Sequence, residues 1–146
     1  MHGPQNYSAN YSASQYRTNS VNTSPLQLVV MCYDGMIRFM RKAKQSIENK
    51  DIEGKVKYIN KTIAIVDELQ GSLDFVRGGE VARNLDRVYD YMNNELMKVA
   101  MREEIEVLVH LEKLAEDLRT AWGKIAAETP AAQPAPNNHS GLTITG

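Results

Sequence analysis

Residues 23–49 read TSPLQLVVMCYDGMIRFMRKAKQSIEN, the longest strongly patterned helical stretch in the chain. Ser24 is placed to cap it, Pro25 suits a first helical position that needs no amide donor, and Gln27 falls three residues after the cap. At about 100° per residue, Leu26, Val29, Val30, Tyr33, Ile37, Met40 and Ile47 share one stripe, the ordinary seam of a helix that faces a core. Beside that seam Leu28, Cys32, Met36, Phe39 and Ala43 widen the apolar arc to about 200°, roughly twice what a surface helix needs. Two readings fit this width. The helix is central and touches several neighbours, or part of its arc lines a groove for another amphipathic helix.

The flanking sequence supplies three more helices of similar length. Asp51 can cap a second, reaching about Val76, whose seam is Ile52, Val56, Ile59, Ile63, Val66 and Leu73, with Tyr58, Ile65 and Leu69 off to one side. Gly78 and Gly79 then stop the chain. A third helix, from Glu80 to about Met101, uses Val81, Leu85, Val88, Tyr89, Met92, Leu96 and Val99. The fourth, from Arg102 or Glu103 to Ala127, uses Leu108, Leu111, Ala115, Leu118, Trp122 and Ile125; no Gly or Pro marks the boundary between the two. Four rods of about 24 residues are each roughly 36 Å long, matched for side-by-side packing through short connections. No period-two strand run is framed by turns. The expected fold is therefore all-α, an antiparallel four-helix bundle over residues 23–127.

Residues 1–22 form a polar, Ser/Asn-rich leader carrying Tyr7, Tyr11 and Tyr16, expected to be flexible with room for a short helix around Tyr7 and Tyr11. Residues 128–146, rich in Pro, Ala and Asn, read as a disordered tail.

A net charge of -1 over 146 residues provides no field to draw in nucleic acid or anionic lipid. The charges are uneven all the same. Arg38, Arg41, Lys42, Lys44 and Lys50 make the first helix basic, whereas Glu103, Glu104, Glu106, Glu112, Glu116 and Asp117 make the last one acidic. Two solvated faces are the simpler expectation, and pairing between the two helices is the other. A single cysteine, Cys32, excludes an intramolecular disulfide framework and suggests a reducing compartment. Neither a secretory signal nor a run long enough to span a bilayer is present, so no direct membrane insertion is expected.

Nothing in the pattern supports catalysis. A bundle di-iron site needs Glu-x-x-His pairs on two helices, and the nearest approach is Glu106 with His110 at the wrong spacing, leaving His110 as an exposed residue. Cys32 has no histidine near it in the pattern to make it a nucleophile, and Gly78-Gly79 follows no strand. Asp34 beside Tyr33 and Asp90 between Tyr89 and Tyr91 are read as carboxylates bonded to tyrosine hydroxyls that set helix register. The chain is read as a non-enzyme with no cofactor and no metal.

Tyr16, Asn19-Ser20-Val21, Thr23-Ser24-Pro25 and Tyr33-Asp34-Gly35 are followed in order by Ala43, Ile47, Leu69, Ser72-Leu73-Asp74, Gly79-Glu80, Asn84-Leu85, Tyr89-Asp90-Tyr91-Met92 and Trp122. This succession resembles the flagellar secretion chaperone FliS family across about residues 16 to 126. Each motif is weak alone; their order over four helices is what makes the resemblance specific. It departs from the family at Cys32, where a larger apolar residue is usual, in a longer leader before Tyr16, and in the Pro/Ala-rich tail.

The resemblance implies a cytoplasmic export chaperone that binds the C-terminal region of flagellin, prevents premature polymerisation and delivers it to the cytosolic domain of the flagellar type III export gate. Leu28, Cys32, Met36 and Phe39 on the first helix, Tyr58, Ile65 and Leu69 on the second and Tyr91 on the third are the candidates for its flagellin groove. Tyr16 is the candidate export-gate contact, and the leader a movable cover over apolar surface. An anti-sigma factor or co-chaperone as further partner, and a homodimer when unloaded, are left open. The competing reading is a self-associating helical-bundle adaptor with no flagellin client.

Overall fold

The computed structural model describes residues 24–102 and 104–128. They form four helices, α1 (Pro25–Glu48), α2 (Ile52–Gly71), α3 (Phe75–Arg102) and α4 (Ile105–Glu128), packed in the order α1, α2, α3, α4 around one core. This is the expected all-α four-helix bundle. The leader and tail expectations, with Tyr7, Tyr11 and Tyr16, lie outside the described residues.

Local chemistry explains where most of these helices begin. The Gln27 amide donates to Ser24 Oγ at 3.1 Å and the Ser24 amide to Gln27 Oε1 at 3.1 Å, a reciprocal capping box ahead of Pro25. After α1 the chain turns through Lys50, whose φ of 58° is unusual for a side-chain-bearing residue. Asp51 then caps α2 by accepting from the Gly54 amide at 2.9 Å. A Cβ at Gly54 would overlap the Asp51 carboxylate and sit 2.6 Å from Ser46 Oγ, so any side chain there would have to displace the capping group.

The α2–α3 boundary differs from expectation. The second helix ends at Gly71, not near Val76, because Asp74 offers a better start: its Oδ1 accepts from the Val76 and Arg77 amides, both at 3.0 Å. Gly79 does interrupt the helix as expected: it is a non-helical kink that divides a short first turn of α3, from Phe75, from the long stretch that runs on from Glu80. Its φ of 51° and ψ of -125° suit glycine and strain any other residue. Where the sequence left the α3–α4 boundary undefined, α3 ends at Arg102 and α4 begins at Ile105.

Helix α1 is central, sharing its apolar arc between α2 on one flank and α4 on the other. Val29, Cys32, Tyr33, Met36, Ile37, Met40 and Ala43 are all buried, so most of the wide arc is consumed inside the bundle. On α2 the core stripe runs through Lys55, Ile59, Thr62, Val66 and Leu69, continued by Leu73 just past its end, and the expected seam positions Ile52 and Val56 are exposed. Thr62 is tolerated inside because its hydroxyl donates back to the Tyr58 carbonyl at 2.8 Å. Similarly Ala82 replaces the exposed Val81 in the α3 core, and Ile125 of α4 is exposed.

Charge pairing accompanies the α1–α4 register, against the expectation of two merely solvated faces. Arg41 reaches Glu112 and Glu116 at 2.8 Å each, Lys44 lies 3.6 Å from Glu112, and Arg119 reaches Asp34 at 2.8 Å. Descending numbers on α4 meet ascending numbers on α1, which makes the pair antiparallel. Between α2 and α3, Gln70 donates to Asp86 and Asp90 at 2.8 Å each and Asn93 donates to Asp67 at 2.8 Å.

The buried tyrosines correct another expectation. Tyr33 and Tyr89, both fully buried, pair hydroxyl to hydroxyl at 2.7 Å, while Asp34 and Asp90 serve Arg119 and Gln70 instead. Desolvation pushes the Tyr33 pKa up to about 12, and Tyr89 is raised as well, chiefly by the same burial.

Removing one hydroxyl of the pair leaves the other short of a partner. Tyr33→Phe is expected to cost about 1–3 kcal/mol. Tyr89→Phe should cost less, since Trp122 also hydrogen-bonds to Tyr33. The double variant should recover part of the loss, which denaturant unfolding of all four proteins would read as a coupling energy. In the unfolded chain a tyrosine ionises near 10, and folded Tyr33 only near 12. Its contribution to stability is thus complete below pH 10 and declines as pH rises toward 12, so thermal midpoints should fall over that window and fall less in the double variant.

Candidate functional site

The four seams between neighbouring helices differ in how they are closed. The α1–α4 seam carries the ion pairs, and the furrow of about 740 Å³ above it is lined by Asp34, Arg41, Glu116 and Arg119, which already satisfy one another. An apolar ligand would have to displace those charges.

The α2–α3 seam is closed at one end and open at the other. Asp86, Asp90 and Asn93 form the α3 stripe bonded to α2, and continuing it at four-residue steps reaches Met97 and Met101. On α2, the stripe that carries Gln70 and Asp67 continues backwards through Ile63 to Val56 and Ile52. Polar side chains lock the first half; apolar ones are left uncovered along the second. Ile52 is 63% exposed, Val56 38%, Met97 58% and Met101 79%, with Ile63 half-buried between them. Lone apolar residues on a surface mean little, but five on adjoining stripes form a strip.

The α3–α4 seam is the loosest in the bundle. Among the described residues no ion pair or hydrogen bond between side chains crosses it; Tyr91 meets His110 edge to face, with ring centroids 6.3 Å apart. Val88, Val107, Leu114 and Leu118 are only half-buried along it. Thus α3 presents uncovered apolar surface on both flanks.

The sequence candidates are distributed unevenly over this surface. Cys32, Met36 and Leu69 belong to the bundle's own core. Leu28, Phe39, Tyr58 and Ile65 are half-buried and lie on the α1–α2 side, where Phe39 and Tyr58 stack with centroids 6.2 Å apart. Tyr91 is exposed on a different face, beside α4, and Tyr16 lies outside the described residues. The exposed strip formed by Ile52, Val56, Met97 and Met101 is not among the sequence candidates. Its signal was present: the α2 pair repeats at four residues, as does the α3 pair, but that spacing resembles a core seam until the neighbour's position is known.

The remaining chemistry is sparse. Burial raises the Cys32 thiol to about 11, which makes it inert at neutral pH. His110 is exposed, and no cluster of three or more metal-ligating side chains occurs among the described residues. No helix there is long and apolar enough to cross a membrane.

A family model described as flagellar protein FliS matches residues 7–129. The chain belongs to the FliS family. It is 36% identical over 108 residues to the flagellar secretion chaperone FliS of Bacillus subtilis strain 168, covering 73% of this chain and 80% of the relative. To the chaperone of the same name from Campylobacter jejuni it is 33% identical over 126 residues, with 85% and 98% covered. The corresponding figures for the Salmonella typhimurium FliS chaperone are 31% over 117 residues, with 80% and 87% covered. The relatives' role is a chaperone's, a non-enzymatic one.

If the strip is true surface, polar substitutions there leave the bundle intact. Met101→Gln and Ile52→Gln should change unfolding free energy by no more than about 0.5 kcal/mol. Leu69→Ala, by contrast, should cost about 2–5 kcal/mol in the same denaturant titration.

Proposed function

We propose that this chain is a cytoplasmic export chaperone that covers the C-terminal segment of flagellin and hands it to the cytosolic domain of the flagellar export gate. Membership of the FliS family supports the general role, and the observation that carries the binding surface is the uncovered apolar strip along α2 and α3.

The strip from Ile52 to Ile63 spans about 16 Å of helix, room for three turns of a client helix placing apolar side chains at i, i+4 and i+7. Met97 and Met101 suit such a role, since unbranched thioethers repack around different partners. The end of a filament subunit is built to self-associate. Laying it on the strip hides its apolar face and stops growth. Tyr91 and the loose α3–α4 seam extend the same surface round the other side of α3, so a wrapping segment meets apolar contacts on both flanks. Apolar burial is worth about 25 cal/mol per Å², and much of that gain is offset by ordering the client, which keeps the complex releasable. Tyr16, in the leader, is the residue proposed to touch the export gate.

The full chain should form a one-to-one complex with a C-terminal flagellin fragment in light scattering and calorimetry. Val56→Asp and Met101→Asp should each weaken it at least roughly tenfold, equivalent to 1.4 kcal/mol, without loss of helical circular dichroism. Unchanged affinity in both variants would remove the strip as the site. Dimers of the chain that persist when fragment is added would favour the adaptor reading.

A further inference from the structure

The α1–α2 side carries a second arrangement, built on Phe39 and Tyr58, which the resemblance offers for flagellin but which lie away from the strip proposed for it. Phe39 and Tyr58 stack at 6.2 Å with a 21° angle between their planes. Four cations surround the pair: Arg38 and Lys61 each 5.5 Å from the Phe39 centroid, Lys42 at 5.5 Å and Lys57 at 5.3 Å from that of Tyr58. Among the described residues none of the four is paired with a carboxylate. On the other flank of α1, by contrast, Arg41 and Lys44 are paired with Glu112, as is Arg119 of α4 with Asp34. The Lys61 pKa is held below its ordinary value by partial burial and then by Lys57 and Lys42, so the cluster is crowded with like charge. In a chain of net charge -1 this concentration is local.

We propose that this patch is a docking site for an acidic amphipathic helix of a partner protein, distinct from the surface proposed for flagellin. Carboxylates on such a helix would meet Arg38, Lys42, Lys57 and Lys61 and relieve their mutual repulsion, and an aliphatic side chain between them would rest on the uncovered parts of Phe39 and Tyr58. A nucleic acid fits less well. The two rings already stack on each other and have cations over them, which leaves little face for a base, and the whole molecule lacks the positive field that draws polyanions.

The test uses the full chain and three probes, read by fluorescence anisotropy at low and high salt. One probe is a synthetic helix with a leucine stripe flanked by glutamates, another its glutamine counterpart, and the third a single-stranded oligonucleotide of matched charge. The glutamate helix should bind roughly tenfold or more tightly than the glutamine one, and weaken with salt. Lys42→Gln combined with Lys61→Gln should erase that preference without lowering the thermal midpoint, and should leave affinity for the flagellin fragment unchanged. Equal binding of the two helices, oligonucleotide binding as tight as the glutamate helix, or a fall in thermal midpoint in the double variant would each overturn the proposal. The flagellin fragment, measured on the same preparations, reports separately on the chaperone reading.

Discussion

The hydroxyl pair between Tyr33 and Tyr89 is the contact on which the placement of α3 depends. The two tyrosines stand on helices diagonally opposite in the bundle, and their oxygens meet at 2.7 Å inside a core made mostly of apolar side chains. In so dry a place an unmatched hydroxyl is costly, so sliding α3 by one turn is penalised far more than loss of a surface bond would be. This matters because, beyond its buried apolar stripe of Ala82, Leu85, Met92, Leu96 and Val99, α3 has few directional ties. Its contacts with α4 are the loosest in the molecule, and its polar ties to α2 end at Asn93, before the exposed methionines begin. A central lock permits peripheral looseness. The same helix can be fixed in register and still leave both flanks uncovered.

How far the sequence reveals this depends on the kind of signal. Four helices, their order and their antiparallel packing follow from the caps at Ser24 and Asp51 and from the 3.6-residue period, which are local properties. The core of α1 was legible for the same reason. What was not legible is which side of each apolar arc a neighbour covers. Cys32 and Met36 look like surplus on a helical wheel, yet they vanish between α1 and its two neighbours; Ile52 and Val56 look like seam, yet no helix reaches them. The wheel reports that a residue is apolar at a given angle. Only the tertiary position of the next helix decides whether that angle is inside.

Hydrogen-bond partners show a similar limit. Neighbours in sequence suggested that Tyr33 would bond Asp34 and that Tyr89 or Tyr91 would bond Asp90. Adjacent residues on a helix point about 100° apart, however, so a tyrosine turned to the core cannot meet a carboxylate turned to solvent one position later. The carboxylates found cations and amides on neighbouring helices, and the core tyrosines found each other. Charge asymmetry between the first and last helices, which had the weaker claim in the sequence, is what the α1–α4 seam uses.

Two surfaces of unlike chemistry then share one helix. On α2, Ile52, Val56 and Ile63 turn toward α3, whereas Tyr58, Lys61 and Ile65 turn toward α1, roughly 160° away at about 100° per residue. An apolar client laid along the first surface therefore does not cover the second. Between them stands a packed row, Ile59, Thr62, Val66 and Leu69, that is fully or almost fully buried and so transmits rigid position more readily than local change. The two surfaces therefore share no exposed α2 side chain. The helix with the least closed seams is α3, which lies beside the strip and away from the aromatic and basic face behind α2.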